Sequence, residues 1–117
     1  MSKDSIIESK SRQFAEKAVR MYKYLVDKEK EYIMSKQVLR SGTSIGANVH
    51  EAKYAESRKD FISKMSVALK EASETEYWIE LLRATGYLKE KQYEDMIESC
   101  REIIRILISI VKSTKTN

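Results

Sequence analysis

Proline is absent from this chain of 117 residues, and glycine occurs only at Gly42, Gly46 and Gly86. Turn-rich β architectures draw on both residues, so their scarcity favours long uninterrupted helices. A single cysteine, Cys100, excludes an internal disulfide and a multi-cysteine zinc site. The lone histidine, His50, has Ala47 three residues before it, so the Glu-x-x-His pattern of di-metal bundles is missing. No metal or cofactor is expected. The apolar run Ile106–Val111 is far too short to cross a bilayer. Asp4 and Glu8 stand where a secretory signal would carry an apolar block, so the expected setting is the cytoplasm, away from membranes.

Hydrophobic residues make up 42% of the chain and charged residues 34%, which suits one domain, residues 1–117, with a modest core. Apolar residues recur at helical period in four segments, about 5–27, 30–55, 60–84 and 89–113. The first has Ser5-x-x-Glu8 as a capping box and Ile7, Phe14, Ala18, Met21 and Leu25 as one stripe. Ser57 or Asp60 caps the third, and Gly86 stops it. The tail Thr114–Asn117 is expected to fray. Short connections between four helices imply an all-α, antiparallel up-down-up-down four-helix bundle.

Two helices carry more apolar surface than one core needs. On the first, Ala15, Val19, Tyr22 and Val26 form a second stripe beside the core stripe. On the fourth, apolar positions from Tyr93 to Val111 cover about half the circumference, where a stripe somewhat over ~100° wide suffices. Self-association is the economical answer, with Ala15, Val19, Tyr22, Val26, Ile103, Ile106 and Ile110 at the interface. The alternative is a monomer with an apolar surface.

The stretch Ser41–Ala52 puts Gly42 and Gly46 on one helical face, where another backbone can come close. A phosphate loop is excluded there, because no Gly-Lys-Ser/Thr ending follows. Glu76 projects onto an apolar stripe and needs partners. Ser44 and Asn48 on the second helix suit a structural polar cluster with Glu76, extended by Arg40. A catalytic carboxylate is the sharper reading, but it lacks a companion. Cys100 sits inside the fourth helix's stripe and reads as a small hydrophobe. Tyr77 and Trp78, with Tyr87 and Tyr93, either close the core and anchor a subunit or form a base-stacking platform. No catalytic residues, and no enzyme activity, are expected.

Net charge is +4, unevenly placed. Residues 32–59 hold Lys36, Arg40, Lys53, Arg58 and Lys59 against Glu51 and Glu56. These five basic residues are the expected contacts if RNA or DNA is bound.

Gln37-Val-Leu-Arg-Ser-Gly-Thr-Ser-Ile-Gly-Ala-Asn-Val-His-Glu-Ala52, then Asp60-Phe61 and Ala68–Leu82, closely resembles the bacterial four helix bundle protein family. That family includes proteins encoded in intervening sequences of the 23S ribosomal RNA gene and is similar to the accessory protein of diversity-generating retroelements. Its Ser-Ile-x-Ala-Asn-Ile-x-Glu core maps onto Ser44, Ile45, Ala47, Asn48, Val49 and Glu51, and its Glu-x-Glu onto Glu74 and Glu76. Gly46 stands where many members carry proline. The resemblance implies a ring-like homopentamer with a basic surface and no established enzymatic activity. For the retroelement relatives it implies contact with nucleic acid and a reverse transcriptase. A protein-interaction module without nucleic-acid contact is the alternative function.

Overall fold

The structure, a computed structural model, describes residues 2–116. Helices α1 (Lys3–Asp27), α2 (Met34–Ala52), α3 (Arg58–Ala84) and α4 (Glu90–Thr116) form an up-down four-helix bundle. Each helix packs on its chain neighbours, and α1 closes the square against α4 over the sparsest seam. The rod measures 46 × 21 × 21 Å. Phe14, Leu25, Ile45, Met65, Ile79, Leu82, Ile103 and Leu107 fill its interior.

The helix ends depart from the sequence reading where a better cap lies nearby. Ser2, not Ser5, caps α1: its hydroxyl accepts the Ser5 N–H, and the helix starts at Lys3. The second helix starts at Met34 rather than near residue 30, because Lys30 adopts the left-handed conformation at φ 54°. Glu31 then folds back beneath α2. Its carboxylate accepts the N–H groups of Ile33 (3.2 Å), Met34 (3.1 Å) and Ser35 (2.7 Å), satisfying donors that a helix start leaves open. The Ser35 hydroxyl donates to the Glu31 carbonyl at 2.8 Å, and Glu31 ends only 8% exposed. At its other end α2 stops at Ala52, and the N–H groups of Lys53, Tyr54 and Ala55 tighten onto carbonyls three residues back.

Ser57 caps α3 by accepting from Asp60 N–H at 3.0 Å, and Asp60 returns a carboxylate to Glu56 N–H. Gly86, at φ 87°, ends α3 with paired bonds from Gly86 N–H to Arg83 and Tyr87 N–H to Leu82. Gln92 reaches back to Lys89 N–H to open α4. The expected frayed tail is helical through Thr116, because the Arg58 guanidinium grips the Thr114 carbonyl; Asn117 lies outside the described residues.

The centre of α2 is drawn tightly onto its neighbours. A Cβ on Gly42 would stand 2.8 Å from Ala18 Cβ, and one on Gly46 would stand 3.2 Å from the Ser11 carbonyl oxygen. On the α3 side, the buried Thr75 hydroxyl donates to Ser41 Oγ at 2.8 Å, and Ser41 donates to the Gln37 carbonyl.

Glu31→Gln keeps the size of the cap but removes its charge and turns one oxygen into a donor facing N–H groups. It should lower unfolding stability by about 1–3 kcal/mol in urea titration. An unchanged midpoint would show that the cap contributes nothing.

Candidate functional site

Successive helical residues turn by about 100°, so α1 can present one stripe to the core and another to the outside of its seam with α2. Ala15, Tyr22 and Val26 are half-buried there and Val19 is 37% exposed. Toward the N-terminal end of α1 the same seam widens into a groove of about 700 Å³. Its walls are small or hydroxyl-bearing: Ser5, Ser9, Ala15, Thr43, Gly46 and Ala47, with Arg12 and His50 at the rim. Glu8, in its lining, pairs with Lys53 at 2.7 Å. The groove thus presents hydroxyls, a guanidinium and an imidazole edge.

The fourth helix corrects part of the expected interface. Ile103 and Ile110 are buried in the chain's own core, and Ile106 is half-buried against it. Four helices of this length enclose a wider apolar arc than a single stripe. Of the large aliphatic residues of α4, Ile108, outside that expected interface, is the one left substantially exposed.

The expected cluster of Ser44, Asn48 and Glu76 does not form. Asn48 donates to the Ser44 carbonyl and Ser44 to the Arg40 carbonyl, both along their own helix. Glu76 turns to α4, where Arg101 reaches it at 2.9 Å and also pairs with Glu80. One residue of helical rotation separates the two outcomes: Thr75, not Glu76, faces α2. The signal was present in Ala68, Ala72, Thr75, Ile79 and Leu82, a stripe whose single polar member is Thr75. Glu31 gave no such signal, because its burial depends on the turn before it.

The five basic residues do not form one surface. Arg40 pairs with Glu71 at 3.1 Å and with Glu74, to which Trp78 Nε1 also donates. Chiefly through its hydrogen bond, Arg40 holds the Glu74 carboxyl below the usual range, and Glu74 raises Arg40 in return. Lys53 is held by Glu8, and Arg58 by the end of α4. Lys36 and Lys59 are exposed at opposite ends of the rod, with no ion pair among the described residues. Trp78, Tyr87 and Tyr93 pack against the core while Tyr77 stands exposed, edge-on to Trp78.

Cys100 is buried, with its Sγ 3.3 Å from the Ala72 carbonyl oxygen. Burial foremost, with the nearby Glu76 charge, pushes its thiol up to about 12, so it is not an available nucleophile at neutral pH. Among the described residues no group of three or more His, Cys, Asp or Glu is placed to hold a metal ion. No helix among them is long and apolar enough to cross a membrane.

Fold and surface together define an up-down four-helix bundle with a filled core, a close-packed small-residue seam and an outward apolar stripe on α1. The chain belongs to the 23S rRNA-intervening sequence protein family, whose model matches residues 3–109. It is similar to a protein of unknown function from the S23 ribosomal protein family of Bacteroides thetaiotaomicron VPI-5482, known from a crystal structure. The two share 55% identity at a TM-score of 0.93, over 95% of this chain and 99% of that one. No functionally curated protein matches the chain.

A thiol reagent at pH 8 should leave Cys100 unmodified in the folded protein and label it fully in urea. Labelling of the native state at the rate of a free thiol would contradict the burial described.

Proposed function

We propose that this chain is a non-catalytic scaffold that acts as a ring of identical copies and contacts RNA or DNA through basic charge. The observation that carries the reading is the α1 stripe of Ala15, Val19, Tyr22 and Val26, left outside a core that is already complete. Covering an apolar face contributes roughly 25 cal/mol per Å², and a second copy supplies a matching face at every concentration at which the protein itself is present. Five copies are the number the family resemblance implies. The nucleic-acid half is supported by the net charge of +4 and by lysines that no carboxylate holds. The likeness to a member of a ribosomal protein family puts RNA among the fitting partners.

A second reading, a protein-interaction module without nucleic acid, draws on the groove beside Gly46, whose small walls suit a helix of another protein. Nucleic-acid affinity that falls steeply as salt rises supports the first reading, because neutralised phosphates release counterions. Absence of binding at low salt supports the second.

Sedimentation equilibrium should give a multiple of the 13.6 kDa chain mass, and Val19→Glu should return it to a single copy with helical content unchanged. A wild-type monomer at high concentration would refute the assembly.

A further inference from the structure

We infer that the end of the bundle formed by the α1–α2 and α3–α4 connections binds a single-stranded nucleic acid, with a base stacked on Tyr32 and phosphates on the surrounding lysines. This rests on the nucleic-acid half of the proposed function and gives it a place. The up-down topology brings residues 28–33 and 85–89 to the same end of a rod 21 Å across. Lys28, Lys30, Lys36, Lys89 and Lys91 are all exposed there, and none has a side-chain ion pair among the described residues. The acids in the α1–α2 connection point elsewhere. Glu31 is spent on the α2 amides, and Glu29 accepts the Tyr24 hydroxyl at 3.1 Å. Asp27, Glu90 and Glu94, three residues along α4 from Lys91, are the acids left exposed beside the lysines. At the opposite end, Lys53 and Arg58 are held by internal partners.

Tyr32 is 52% exposed and Ile33 76% exposed, between Lys30 and Lys36 in the chain and at the same end of the rod as the other lysines. The segment is not slack: Glu31 pins the Ile33 amide, and Glu31 N–H is tied back to Leu25 at 2.9 Å. An exposed aromatic ring on a pinned backbone, with lysines at the same end of the bundle, suits unpaired bases and their phosphates. A duplex keeps its base faces covered, so it can use the lysines but not the ring. An anionic lipid surface fits less well. Ile33 is the one exposed large aliphatic at this end, and even a full myristoyl chain anchors a protein only marginally.

The test is fluorescence anisotropy with the full chain at low salt. The probes are an oligothymidylate of about 12 nucleotides, the corresponding duplex, and phosphatidylserine vesicles. Lys36→Glu with Lys91→Glu places acids in the first turns of α2 and α4, where helices tolerate them. That pair should weaken single-strand binding at least tenfold and flatten its salt dependence. Tyr32→Ala should weaken it about tenfold with the salt slope kept, and Tyr32→Phe should restore it. Lys59→Glu, at the far end, should stay within about threefold of wild type. Duplex bound as tightly as single strand, equal loss in Lys59→Glu, or vesicle binding in place of oligonucleotide binding would overturn the assignment. Binding that survives the end variants removes this site but leaves the proposed function standing. No binding to any nucleic acid at low salt removes both.

Discussion

The structure depends on how closely α2 approaches the helices on either side of it. Gly42 faces Ala18 with no room for a methyl group, Gly46 lies on the Ser11 backbone, and Ser41 meets Thr75 through paired hydroxyls. Each glycine costs about 1 kcal/mol of helix propensity relative to alanine. Contact on both sides of α2 offsets that cost and fixes register. Thr75 and Ser41 each also reach a carbonyl one turn back in their own helix, and their mutual 2.8 Å contact adds a directional link between α2 and α3 that an all-aliphatic seam would lack. The same choice of small residues shapes the outside. Thr43, Gly46 and Ala47 line the groove beside Ala15, at one end of the second stripe of α1.

Much of this is written in periodicity. The four helices, the core stripe of α1, the Ser57 cap and the Gly86 stop follow from local patterns that the structure reproduces. What local patterns miss is set by rotation and by neighbours. The difference between Thr75 and Glu76 facing α2 is one helical step, smaller than the uncertainty of a stripe drawn on an idealised wheel. Ile103 and Ile110 look surplus when α4 is counted alone, and become core once α1 and α3 flank it. The start of α2 was misplaced because Lys30 and Glu31 are good helix formers by propensity. A left-handed residue followed by a carboxylate aimed at three amides overrides that preference.

Electrostatics divide the surface in a way composition conceals. Arg40 and Arg101 each bind two carboxylates of α3 from opposite sides, so much of the charge in the middle of the rod cross-links helices. Exposed pairs of this kind contribute modestly to stability. Their larger effect is to consume cations that a count of residues assigns to a partner. Among the described residues, Lys28, Lys30, Lys36, Lys89 and Lys91 remain uncommitted at the end of the rod that carries Tyr32 and Ile33. The ion pairs that cross-link the helices are therefore spatially separate from most of the lysines left without one among the described residues.

The close approach at Gly42 is tested most directly by a double-mutant cycle of Gly42→Ala and Ala18→Gly, read as unfolding free energy in urea. Gly42→Ala alone should destabilise by about 1–2 kcal/mol, overpacking outweighing the propensity gain. The double variant should return close to wild type, because the methyl group merely changes sides. A Gly42→Ala protein as stable as wild type or more so, with no coupling in the cycle, would contradict the account.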